Sequence, residues 1–260
     1  IQENRGRTGR GKKLEKKGYG FIFYEENLKH KNLYMIDLEN MDAKPDQLTK
    51  GKTIQRFSFS ADGKLIALTA TDKNLVDHSY MFKKIYVLDI ASKKIDMLLD
   101  KTRKLGALRF SPDNKKLAYA AALDIKDHAV SQLYVFDIAS KTEKNLTEPN
   151  FRGHVSWVEW KDAKTLLYKA GEGVWPTLSL VPATGGKRKI IYNSKTTGIV
   201  FKSASFSRNF KHAAFTGSSP VVPGNPYYLS LGKKKKKRPL LSLADLNPWL
   251  GQRKLGKQEV

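Results

Sequence analysis

Two stretches decide the fold: FSFSADGKLIALTA at residues 57–70 and LRFSPDNKKLAYAA at residues 108–121. Each is an apolar strand ending in Phe-Ser, a short polar turn containing Asp and Lys, and a second apolar strand. The phrase recurs, weakened, as WVEWKDAKTLLYKA at 157–170 and ASFSRNFKHAAFTG at 204–217. A second phrase follows every copy: KIYVLDIASKKIDML at 84–98, QLYVFDIASKTEKNL at 132–146, TLSLVPATGGKRKII at 177–191 and YYLSLGKKKKKRPLL at 227–241. An extra copy of this second half, NLYMIDLENMDAKPDQL, opens at residue 32. The period is about fifty residues, so the chain is an array of one structural unit.

Within a unit the alternation of apolar and polar residues, rich in β-branched and aromatic side chains, predicts four short strands. Ala-Asp-Gly-Lys and Pro-Asp-Asn-Lys read as the hairpin turns between strands one and two. There Pro112 presets its backbone angle, and Gly63 or Asn114 tolerates positive φ. Asp89 and Asp137, at the ends of the third strands, are placed to accept backbone amides of the next turn, a structural role. Helical periodicity is almost absent outside the stretch SLADLNPWLGQRKLG. Tandem four-stranded units of this length predict an all-β fold, a β-propeller fragment of about four to five four-stranded blades. The first unit is incomplete, with GFIFY as strand two, NLYMIDLEN as strand three and DQLTK as strand four. A propeller closes on itself to remove sheet edges, so the broken unit points to further blades upstream.

Composition sets the outer bounds. The 260 residues carry 48 Lys plus Arg against 25 Asp plus Glu, a formal net charge of +23, with 40% hydrophobic residues and no cysteine. That apolar fraction suffices for a core. Without cysteine there is no disulfide framework, thiol nucleophile or zinc-thiolate site, which leaves a cytoplasmic or a periplasmic location open. The apolar runs are too short for a membrane-spanning helix. The amino terminus, IQENRGRTGRGKKLEKK, lacks an initiator Met and an apolar signal region, so the chain is expected to start mid-protein. Residues 1–17 are expected to be a flexible basic segment, 18–243 the blades, and 244–260 a linker.

The blade phrases FSPD(G/N)K and LYV(F/L)DIA resemble the non-catalytic propeller of prolyl oligopeptidase family serine peptidases, in their acylaminoacyl and dipeptidyl peptidase branch. They are also similar to TolB-like propellers, which share the blade repeat. The carboxy-terminal PLLSLADLNPWLGQRKLG favours the peptidases, because Asp245, Leu246, Asn247 and Pro248 match the phrase by which that group leaves its last blade; Ser242 to Ala244 depart from it. The resemblance implies an attached α/β-hydrolase domain as partner, short peptides as substrates, and a propeller that caps the active site. The catalytic Ser, Asp and His of such a peptidase lie on the hydrolase domain. No Gly-x-Ser-x-Gly nucleophile elbow occurs here, the nearest stretch being GSSPVVPG from residue 217, so no catalytic residue is assigned to this chain. The competing expectation is a TolB-like protein-binding propeller with no attached enzyme.

The remaining motifs are weaker. GRTGRGKK, from Gly6 to Lys13, approaches a phosphate-binding loop, but Lys13 stands where the Mg²⁺-ligating hydroxyl belongs and no apolar strand precedes it. The run Lys233 to Arg238 elaborates a solvated hairpin tip. The aromatics are expected to face the core, leaving no base-stacking platform, so nucleic acid is not an expected partner. Asp77-His78 and Asp127-His128 recur in the connections between strands two and three of successive units. With Trp175 beside Pro176, they are the expected tunnel-face residues. A His/Asp pair on neighbouring loops is also a metal motif, but repeats inherit loop residues without function, so neither metal nor cofactor is assigned. Trp157, Trp160 and Trp175 are expected in the core, the channel mouth being the alternative for Trp175, and His30, His154 and His212 at strand edges.

Overall fold

The computed structural model describes residues 9–20, 28–220, 222–231 and 240–242. The first eight residues, the expected strand across 21–24, the Lys233 to Arg238 run and the terminal phrase from 243 onward lie outside the described residues. Gly9–Lys16, inside the expected basic segment, forms a two-turn helix, α1, with no buried side chain.

The fold is mostly β, and the five sheets of the described residues are antiparallel. A two-stranded sheet joins β1 (Tyr34–Met35) to β2 (Asp46–Gln47). Their pairing of Tyr34 with Gln47 is that of the third and fourth strands expected for the incomplete first unit. Four sheets of four strands follow in simple up-and-down order. The first is β3 (Thr53–Phe59), β4 (Leu65–Thr71), β5 (Lys84–Asp89) and β6 (Ile95–Leu99), with helix α2 (Val76–Met81) between β4 and β5. The second is β7 (Leu105–Phe110), β8 (Lys116–Ala122), β9 (Ser131–Asp137) and β10 (Thr142–Asn145). The third is β11 (Gly153–Asp162), β12 (Thr165–Glu172), β13 (Trp175–Pro182) and β14 (Lys189–Asn193). Helix α3 (Ser194–Thr197) leads to the fourth, β15 (Val200–Phe206), β16 (His212–Ser219), β17 (Val222–Ser230) and β18 (Leu240–Ser242). This is the strand order of propeller blades.

Three of the turns between first and second strands share one geometry. Ser60, Ser111 and Ser207 each donate a backbone N–H across the turn, to Leu65, Lys116 and His212 at 2.8, 2.8 and 3.0 Å. Each turn needs one left-handed residue: Gly63 at φ 70°, Asn114 at 57° and Phe210 at 52°. The turns after the third strands repeat as well. Asp89 accepts the Ser92 N–H at 2.8 Å and Asp137 that of Ser140 at 3.0 Å, as the repeat predicts. Those bonds hold both carboxyls below the usual Asp range.

The chain divides into two compact units, residues 1–131 with 136–143, and residues 132–135 with 144–260. In the first, β4 and β8 are buried on both faces along nearly their whole length. The alternation of a half-exposed strand is lost there, and small residues fill the positions where backbones approach: Ala67, Ala70, Ala118, Ala120, Ala121 and Ala122 are all 0–1% exposed. Leu48 and the partly buried Leu33, which flank the two-stranded sheet, pack with Ile54, Ile66, Leu68, Tyr86 and Leu88.

The aromatics do not all face the core. Phe57 and Phe59 are 50% and 55% exposed, edge to face at 6.2 Å, although their equivalents one repeat later, Leu108 and Phe110, are buried. The cause is a difference in cover. Strand β7 lies against β3 and β4, whereas among the described residues the first unit contributes two short strands ahead of β3. In the second unit the core is a ring cluster: Tyr192, Phe201 and Phe215 sit with centroids 5.2–5.4 Å apart, and Tyr227 stacks on Phe215 at 5.7 Å. Trp160 is buried in that unit as expected, and half-buried Trp157 stacks on Phe206 at 5.6 Å.

Candidate functional site

The expected tunnel-face residues fall on connections between second and third strands, although not all in loops. Asp77 and His78 lie on helix α2, and the His78 ring meets Phe82 with centroids 5.2 Å apart. Asp127 and His128 lie in the turn between β8 and β9, where the Lys104 ammonium sits 3.0 Å from the Asp127 carboxylate. Among the contacts of the described residues, Asp127 is joined to Lys104 and His78 to Phe82, not to the other Asp-His pair. Among the described residues no group of three or more His, Asp or Glu side chains is placed to hold a metal. Trp175, in the second unit, opens β13 opposite Glu172, across a turn whose Gly173 has φ 61°. It is half-buried.

The histidines are structural where their partners are defined. His30 Nδ1 meets the Thr53 hydroxyl at 2.9 Å, a pairing that elsewhere could activate a nucleophile, but Thr53 is fully buried and no substrate reaches it. His212 Nδ1 meets the Tyr228 hydroxyl at 2.5 Å and the two rings stack.

Sequence reading missed the charged networks behind the strands. Arg188 grips the Glu172 carboxylate with two nitrogens at 2.6 and 2.7 Å, and the Thr177 hydroxyl donates to the same carboxylate at 2.6 Å. Glu148 lies 3.7 Å from Arg188 Nε, and the guanidinium covers the Phe151 ring at 5.3 Å. The Arg188 bonds outweigh the effect of burial and hold the Glu172 carboxyl below its ordinary range. In the first unit Glu143 receives Lys101, Arg103 and the Tyr119 hydroxyl. Burial works against its charge, yet these donors and the Arg103 charge keep its carboxyl low as well. The signal for these networks lay in residues such as Arg103, which are basic although buried, and burial is not visible in a repeat phrase.

Lys83, between α2 and β5, has the opposite setting. Burial, with a smaller push from the Arg56 charge, lowers its ammonium to about 8.

Two cavities open in the second unit. One of about 380 Å³ lies between the segment Lys144–Pro149 and the turn Gly185–Lys187. Lys144 crosses it to donate to the Thr184 carbonyl at 2.5 Å. The other, of about 160 Å³, is lined by apolar side chains and two lysines.

No protein-family model matches the chain, and no curated protein sequence does. Solved structures do. TolB from Acinetobacter baumannii is similar with a TM-score of 0.59 at 16% identity, over 82% of this chain and 48% of that one. A structure from a study of two prolyl endopeptidases gives 0.62 at 12% identity, over 85% of this chain and 31% of that one. An oligogalacturonate lyase in complex with manganese gives 0.64 at 10% identity, over 77% and 57%. At these identities the likeness is one of fold. The chain spans about half the length of the TolB structure and less than a third of the prolyl endopeptidase.

Proposed function

We propose that this chain is the non-catalytic propeller, of about four to five blades here, of a serine peptidase of the prolyl oligopeptidase kind. Its role is to cap the hydrolase active site and admit only short peptides. A ring of blades does this by size: an extended peptide threads a tunnel or side gap that a folded protein cannot enter. On this reading the nucleophile, acid and base belong to an α/β-hydrolase domain reached through the segment 244–260. Asp77, His78, Asp127, His128 and Trp175 face the passage.

The observation that carries the reading is the four-stranded repeat in a fold shared with a prolyl endopeptidase over most of this chain but under a third of that one. The half-exposed Phe57 and Phe59 support it, since covering the open half of each ring against a further blade contributes about 1 kcal/mol each. The similarity to TolB favours a second reading with equal directness, a propeller that binds a protein partner and carries no enzyme. Purified residues 1–260 are expected to leave peptide anilides intact. Turnover abolished by a serine-reactive inhibitor would refute the assignment of catalysis to another domain.

A further inference from the structure

We infer that the smaller cavity of the second unit is a binding site for a small carboxylate that carries an apolar group of about benzene size. The site is separate from the capping role and stands without it.

The cavity measures about 160 Å³, and its apolar wall is Leu167, Leu180, Ile191, Phe210 and Leu231. A wall of Leu, Ile and Phe side chains of this extent offers few hydrogen-bond partners to water and has room for a group of about benzene size. Leu167 and Ile191 are buried, while Leu180, Phe210 and Leu231 are only partly so. The cavity therefore sits at the margin of the core with a way in.

Two irregularities build it. Leu178 pairs with Tyr192 but Ser179 pairs with Ile190, so Ile191 is the extra residue of a β-bulge. The bulge turns the successive residues Ile191 and Tyr192 both inward and leaves Lys189, opposite Leu180, exposed at the rim. Phe210 occupies the left-handed position that Gly63 and Asn114 fill in the equivalent turns, at φ 52°. Such a backbone is unfavourable for a bulky residue. It holds the ring in the cavity wall, stacked on Phe206 at 5.8 Å.

The charge on the lining is of one sign. Its charged groups are Lys161 and Lys189. Lys161 has Asp162 at 3.9 Å, too far for a hydrogen bond, and Lys189 has no carboxylate partner among the described residues. A slot with an apolar wall and two lysines as its charged lining residues favours an anion with an apolar body.

The test is titration of the full chain with 3-phenylpropionate, followed by calorimetry and by nuclear magnetic resonance. Trp157, stacked on Phe206, adds a fluorescence readout. Saturable binding is expected, about tenfold weaker for 3-phenylpropanamide, which keeps the ring and loses the charge. Lys189→Gln, an exposed change, is expected to weaken the acid about threefold to tenfold and leave the amide unchanged. Leu180→Trp, with its melting temperature checked, is expected to abolish binding of both. Absence of saturable binding, equal affinity for acid and amide, or unaltered binding in a folded Leu180→Trp protein would each overturn the inference.

Discussion

The backbone N–H of Ala61 donates to Oδ1 of Asn114 at 2.8 Å, tying together the same turn of two successive repeats. Asn114 stands where the earlier repeat has Gly63, and both are left-handed. Asn thus does two things at once: it accepts the conformation and reaches the neighbouring turn. Asn114→Gly is expected to lose only the exposed bond, about 0.5–1 kcal/mol. Asn114→Ala adds left-handed strain of about 1 kcal/mol or more. Urea denaturation of both variants measures the difference, and equal losses would show that the backbone at 114 is unstrained.

Gly153 on β11 and Gly171 on β12 lie one register position apart, paired with Glu172 and His154, but differ in space. A Cβ on Gly153 would lie 2.6 Å from Phe151 Cζ and 3.0 Å from the Gly171 carbonyl oxygen, whereas one on Gly171 meets nothing within 4 Å. Gly153→Ala is expected to cost about 1–3 kcal/mol through overpacking, and Gly171→Ala close to nothing. Thermal melts decide it; similar melting temperatures for the two variants would contradict the packing described around Phe151.

Glu172 and Arg188 make stability depend on acid. The Glu172 carboxyl is lowered in the fold, so the unfolded chain binds its proton more readily. The stabilisation is complete above the unfolded value of about 4.3 and is lost as pH falls through the folded one. Glu172→Gln is expected to lower stability at pH 7 by about 1 kcal/mol, modest because the pair is partly solvated, and to narrow the gap to the parent protein below pH 4. Melting temperatures of both proteins between pH 7 and 3 test this; a gap that stays constant would exclude linkage through this pair.

Lys83 reverses the sign. Its ammonium is lowered to about 8 by burial, against about 10.4 in an unfolded chain. Between those values the unfolded chain holds more protons, so this residue makes stability rise with pH across that window. Lys83→Met removes the cost of burying the charge. It is expected to raise the melting temperature at pH 7, with a gain that shrinks toward pH 10. A gain independent of pH would assign the effect to packing alone.

Much of the fold was legible because the repeat spells out turn chemistry. Gly63, Asn114, Asp89 and Asp137 announce their roles by residue type, and the strands follow between them. The candidate site was less legible. Asp77 and Asp127 recur at matching places, but recurrence does not separate an inherited loop from a working one. Helix α2 has no buried side chain, so no apolar periodicity marked it. The bulge at Ile191, the left-handed Phe210 and the exposure of Phe57 depend on register and on which sheet covers which, and pairwise packing of that kind leaves no local signature. Arg188 reads as one more cation in a basic chain until its two bonds to Glu172 are seen.

The most direct test of the capping account is fluorophosphonate labelling of the full-length protein from its gene, with cleavage of a peptide anilide and of a folded protein measured alongside. The account predicts a labelled serine outside residues 1–260, turnover of the anilide that the label abolishes, and no cleavage of the folded protein. A full-length protein that takes no label and cleaves neither substrate would contradict it and leave the protein-binding propeller.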